Sequence, residues 1–181
     1  PQGTRTLSYV NVKDSYNNNV TTIDTTGANN TSSGNNINWD FGESFGQADY
    51  RWYQNADSLS LTTPLSGQTS LLTVSSLSNP LRLRMNLLVS GSDLSDLSQS
   101  FRLQVSNLSS GGWQNIESTS TLSFYNNPSL SSGTTLSSLL LTTSNATGTY
   151  EEINPSGYNP FLVAAGELFE FDFSLNPSGL L

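Results

Sequence analysis

Apolar and polar residues alternate with a period of two in several stretches of this chain. In Leu81-Arg82-Leu83-Arg84-Met85-Asn86-Leu87-Leu88-Val89 every odd position is apolar, and the even ones are polar until Leu88. That period puts one set of side chains on each face of an extended strand, so it predicts a strand with one buried face. Phe101 to Val105 repeats the pattern. Near the C-terminus, Phe169, Phe171, Phe173 and Leu175 alternate with Glu170, Asp172 and Ser174, an aromatic face backed by an acidic one. Weaker strands are predicted at 6–12, 20–24, 48–54, 70–77, 119–125, 136–142 and 149–153. No stretch carries the 3.6-residue stripe of a helix.

Between these runs lie Gly-, Asn-, Ser- and Pro-rich connections at 25–36, 90–100, 107–112, 126–133 and 154–160. Five of the seven prolines follow Asn, a dipeptide suited to entering turns and not to strand interiors. About ten short strands separated by turn signals predict an all-β chain, an antiparallel β-sandwich of immunoglobulin-like or jelly-roll-like type. The 181 residues read as one such domain. Residues 1–24 form a candidate N-terminal arm or donated strand, tethered by the polar stretch 25–36.

Composition narrows the chemistry. The chain has no His, no Cys and one Lys, and Ser, Thr and Asn make up roughly two-fifths of it. It therefore lacks the side chain that titrates unperturbed near neutral pH and the most accessible nucleophile and soft metal ligand. The reading is of a non-enzymatic protein, with a hydrolase built on paired carboxylates as a third hypothesis. Only 11% of residues are charged, against about a quarter in an average domain. A surface of hydroxyls and amides is easier to cover with another subunit than one rich in Lys and Glu. A net charge of −8 without a basic cluster argues against nucleic acid. No stretch is long and apolar enough to span a membrane, and the first residues do not form a basic-then-apolar leader.

Three groups of candidate site residues follow. Trp39, Trp52 and Trp113 are candidates for stacking on a ligand such as a surface glycan, with core packing as the alternative. Asp93 with Asp96, and Asp14 beside Asn17 to Asn19, are weak calcium candidates, since loops there offer carboxylate and amide oxygens without matching a known loop motif. Calcium is accordingly the only cofactor considered. Arg82, Arg84 and Arg102 fall on polar strand faces, where pairing with Glu170 and Asp172 is expected. Asn-x-Ser/Thr sequons begin at Asn19, Asn29, Asn30, Asn107 and Asn145; a chain this rich in these residues produces several by chance, so they predict glycans only where the source cell has the machinery.

The segments Ala48 to Asp57, Leu81 to Val89, Ser98 to Val105, Tyr125 to Pro128, Gly133 to Leu141 and Thr149 to Ser156 carry a resemblance. Together they resemble a β-rich domain common in secreted and surface proteins of candidate-phyla (Patescibacteria-like) bacteria. The likeness runs from about Ala48 to about Pro160, with Tyr50-Arg51-Trp52-Tyr53 and Thr149-Tyr150-Glu151-Glu152 its more specific pieces. It implies an extracellular or cell-surface location and no catalytic residues. The leading hypothesis is a subunit of an extracellular filament, pilus-like fibre or sheath that assembles from copies of itself by strand exchange, with Leu7, Tyr9, Val10 and Val12 as interface residues. A carbohydrate-binding or adhesive module is the alternative.

Overall fold

The computed structural model describes residues 7, 9, 11–18, 22–25, 30–32, 35–37, 39–73, 79–106, 112–116 and 122–177. Among them the chain is all-β, with no helix. Four very short strands come first: β1 (Asn11–Val12), β2 (Ile23–Asp24), β3 (Thr31–Ser32) and β4 (Trp39–Asp40). The long strands β5 (Glu43–Gln54) and β6 (Leu81–Gly91) follow, then β7 (Gln104–Ser106), β8 (Trp113–Asn115), β9 (Ser123–Phe124) and β10 (Thr134–Thr135). Last come β11 (Ala146–Glu151) and β12 (Leu168–Asn176).

The main sheet has the order β10-β11-β12-β6-β5, with β9 continuing beside the end of β12. It is mixed where the sequence pattern suggested antiparallel pairing throughout, because β11 and β12 run parallel. The chain returns between them through residues 152–167, the long crossover that parallel neighbours require. β11 also slips register between Thr147 and Tyr150. Gly148 stands there because a Cβ would meet the Glu170 carbonyl oxygen at 2.3 Å. The smaller ladders are β1 with β3 and β2 with β4, both parallel, and the antiparallel pair β7 with β8. The predicted strands at 70–77 and 136–142 do not form among the described residues, while β3 lies inside the predicted tether.

β6 and β12 sit at the centre, antiparallel and in register from Leu168↔Leu88 to Leu175↔Leu81. One face is apolar, as the alternation predicted. Phe169, Phe171 and Phe173 line up along β12 with centroid spacings of 5.0 and 5.7 Å, and Phe101 packs on the first two. Leu94, Leu103, Ile116, Leu122 and Val163 complete this core from the irregular segments laid over it.

The other face overturns the expectation of a single buried side. Arg82, Arg84, Asn86, Glu170, Asp172 and Ser174 are all fully buried. Asp172 receives Arg82 through Nε and a second guanidinium nitrogen at 2.9 and 2.5 Å, and Arg84 Nε lies 2.8 Å from the same carboxylate. Arg84 also reaches Glu170 at 2.8 Å. Two cations and two anions thus cancel inside the protein. Their remaining hydrogen-bonding capacity holds the covering loops: Arg82 donates to the carbonyls of Ala56 and Ser58, and Arg84 to those of Leu59 and Ser138. Glu170 accepts from the amides of Leu140 and Leu141. The Arg82 guanidinium lies 4.4 Å from the centre of the Tyr150 ring, a cation–π contact. Asn127 ties the far end, donating to Tyr150 Oη and Ser174 Oγ.

β5 joins this arrangement through a bulge. Its partners on β6 shift between Gln47 and Tyr50, so the apolar face is served by Phe45 and Gln47 before the bulge and by Tyr50 and Trp52 after it. The Asp49 amide at the bulge donates to Asn86 Oδ1 at 2.8 Å. Asn86 in turn donates to Thr143 and Ser144, and Thr143 to Asp49, closing a ring of hydrogen bonds.

Replacing one member of a buried ion cluster leaves the others without compensation, a loss on the order of 3–5 kcal/mol. Asp172→Asn, which strips the charge facing two arginines, is expected to lower unfolding free energy by about that much in denaturant titration. A loss typical of an exposed pair, under ~1 kcal/mol, would contradict a dry polar face.

Candidate functional site

The two faces of the sheet end differently, and the apolar one is left partly open. Tyr50 and Trp52 of β5, Leu83, Met85 and Leu87 of β6, and Phe171 and Phe173 of β12 form the floor of a groove of about 900 Å³. Phe101, Leu103, Val105, Trp113 and Leu71 also line it. Gln47, Arg102, Gln104 and Ser106 supply its polar groups. An apolar concavity with a few polar groups at its border is the form of a recognition site.

The groove adjoins an unpaired strand edge. β5 is the outermost strand of the main sheet. Its second half is covered by the following loop, through Gln54 N to Thr63 O, Leu65 N to Trp52 O and Thr69 N to Tyr50 O. Over Glu43–Ala48, no strand among the described residues pairs with the outer side of β5, and all six residues are exposed. Phe45 belongs to both features, since it lies on this edge and lines the groove. An exposed edge carrying apolar side chains is a template for another strand.

The three tryptophans separate. Trp52 is half-buried in the floor and Trp113, at 71% exposure, stands on the rim, so the structure brings these two to one groove. Trp39 is elsewhere, stacked on Phe41 at 6.1 Å. Arg102 is exposed at the groove and does not join the buried cluster that takes Arg82 and Arg84.

The interface candidates lie on the arm. Val12 is half-buried, Tyr9 is strongly exposed with φ of 57°, and Val10 is outside the described residues. The arm rests against its own tether. Asn11 and Val12 pair with Thr31 and Ser32, Asn30 Nδ2 donates to Leu7 O, and Asn36 Nδ2 donates to Val12 O. Among the acids, Asp14 Oδ1 accepts from Asn35, Asp93 Oδ1 accepts from the Ala165 amide, and Asp96 is exposed. No three Asp or Glu residues gather as a cation site among the described residues.

Glu151 is buried and is bonded through one carboxylate oxygen, whereas Asp49, at the β5 bulge, is partly exposed and bonded through both. Burial raises the pKa of Glu151, whose Oε1 accepts from Thr149 and the Gly157 amide. Asp49 is lowered by the hydroxyls of Thr143 and Thr69 that donate to it. No protein-family model, curated protein or solved structure matches the chain.

Because Trp113 is open to solvent while Trp52 lies in the groove floor, iodide is expected to quench Trp113 first. Trp113→Phe should remove most of the iodide-accessible fluorescence. Unchanged quenching in that variant would mean that the rim is covered.

Proposed function

We propose that this chain is a non-enzymatic structural subunit of an extracellular or cell-surface polymer, a filament, pilus-like fibre or sheath built from copies of itself. Each subunit is a β-sandwich-type module, and neighbours join by strand exchange. The arm carrying Leu7, Tyr9, Val10 and Val12 extends from one copy and adds as a strand to the outer side of β5 in the next. The observation that carries this reading is the exposed edge over Glu43–Ala48 lying directly beside an apolar groove. Strand addition would satisfy the edge's backbone groups and cover apolar surface in one step. The low charge density is in keeping with a surface built to be covered. Among the described residues the arm is held by the two-residue ladders β1 with β3 and β2 with β4, by a bridge between Tyr16 and Ile37 and by side-chain bonds from Asn30, Asn35 and Asn36. Strand exchange would trade those made by its first residues for bonds to the neighbour's β5.

A second reading, a carbohydrate-binding or adhesive module, is favoured by the exposed ring of Trp113 on the groove rim. It requires that an oligosaccharide shield Trp113 from iodide, which self-assembly does not.

Removal of residues 1–12 tests the first reading. Among the described residues the main sheet uses none of this segment, so the shortened chain is expected to fold yet to remain monomeric under conditions where the full chain forms polymers by negative-stain electron microscopy. Polymers of unchanged appearance from the shortened chain would rule out the arm as donor.

A further inference from the structure

A second feature at the same end of the molecule bears on what fills the groove. Glu43 pairs with Gly91 and Leu168 with Leu88, so the loops 92–99 and 158–167 emerge at the end where β5 begins and where the arm and its tether precede it. Asn159, fully buried between these loops, locks them together. Its Oδ1 accepts from the amides of Ser98 and Gln99 at 3.1 and 3.0 Å, and its Nδ2 donates to the carbonyls of Ser95 and Phe161 at 2.6 and 3.0 Å. Its backbone adds two bonds, accepting from Leu97 N and donating to Gln99 O. Leu94 and Val163 bridge the pair with two further bonds of 2.9 Å.

This frame holds apolar side chains outward. Leu97, Tyr158, Phe161 and Leu162 are each more than half exposed, in loops fixed by a buried amide. Exposed apolar side chains on loops whose backbone is already fixed mark a contact surface, since binding then has to order the side chains but not the loops. The charges around it are negative. Asp93 and Asp96 lie in the first loop, and neither loop holds a basic residue. Anionic surfaces and a second copy of the same cluster are therefore repelled.

The groove has the complementary character. It is apolar and concave where the loop cluster is apolar and exposed, and it carries Arg102, exposed, where the cluster carries Asp96, exposed. The other described arginines are engaged: Arg82 and Arg84 are buried in the ion cluster, and Arg51 donates to Ser66 O and lies over Tyr53.

We infer that the occupant of the groove is this loop cluster from a second copy. Phe161 and Leu162 enter over Trp52, Met85 and Phe101, and Asp96 comes to rest beside Arg102. The inference rests on the self-assembly reading and adds to it the element that fills the groove while the arm pairs with the β5 edge. Arm and cluster leave the same end of the donor, so one docking brings both to the acceptor. The two surfaces are different patches of one chain, which makes the contact heterologous and able to propagate head to tail.

Sedimentation velocity over a concentration series tests this with three variants, each checked for an unchanged unfolding midpoint. Phe161→Ser with Leu162→Ser, and Arg102→Asp alone, are each expected to raise the concentration needed for assembly by about tenfold or more. Asp96→Arg combined with Arg102→Asp reverses the pair and is expected to recover assembly, which a merely structural role for either residue would not produce. The inference is overturned if the serine variant assembles as the wild type does, or if the reversed pair behaves like Arg102→Asp alone. Should removal of residues 1–12 abolish the polymer while the loop variants leave it intact, strand exchange stands and the loop contact falls. A wild-type chain that stays monomeric at every concentration overturns both.

Discussion

The arrangement of the sheet depends on the cancellation of charge between Arg82, Arg84, Glu170 and Asp172. Four ionised groups removed from water would be prohibitively unfavourable if unpaired, and their mutual attraction offsets that cost only when geometry is good and further hydrogen bonds occupy the remaining donors and acceptors. Arg84 Nε meets Asp172 as an ion contact without a hydrogen bond. Here the cross-strand register of β6 and β12 sets Asp172 directly opposite Arg84 and puts Arg82 diagonal to Asp172 and Arg84 diagonal to Glu170, so strand alignment brings all three ion contacts within reach. A slip of one residue would place charges against the phenylalanine ladder. The cluster therefore specifies register as well as closing one face, and the loops around Ala56 to Leu59 and Ser138 to Leu141 take their positions from its spare hydrogen bonds.

Closure of the polar face by ions and loops contrasts with the state of the apolar one. There the segments over the sheet bury Phe169, Phe171 and Phe173 but leave a groove toward β5, whose first six residues have no outer strand among the described residues. The bulge that shifts β5 from odd to even positions keeps Phe45, Tyr50 and Trp52 all on that side. The same sheet is thus sealed where burial of charge demanded it and open where apolar surface can be covered by association. The proposed self-assembly would make use of this asymmetry, covering the apolar surface and the open edge together.

Much of the central architecture was legible in the sequence. Period-two runs located β6 and β12 and identified their apolar faces, and the grouping of arginines with Glu170 and Asp172 was readable as cross-strand pairing. Their burial was not. Charged positions alternating with apolar ones look the same whether water or two loops lie above them, and only the later contacts of Ser138 and Leu140 decide it. The parallel pairing of β11 was hidden for a similar reason, because the 152–167 crossover contains no helix to announce it. Of the groove, Trp52 and Trp113 were identified singly, but nothing local linked residues 61 apart in the chain to one concavity. The loop cluster at Leu97 and Phe161 left a fainter trace: Asn159 before Pro160 reads as a turn, while its six hydrogen bonds to or around a second loop are a product of the fold.

Residue-resolved hydrogen–deuterium exchange, followed from dilute to concentrated protein, tests the central claim most directly. The account predicts slow exchange for β6 and β12 at every concentration, and rapid exchange of the outward amides in Glu43–Ala48 when dilute that slows as assembly proceeds. Protection of that edge already present in the dilute monomer would contradict it.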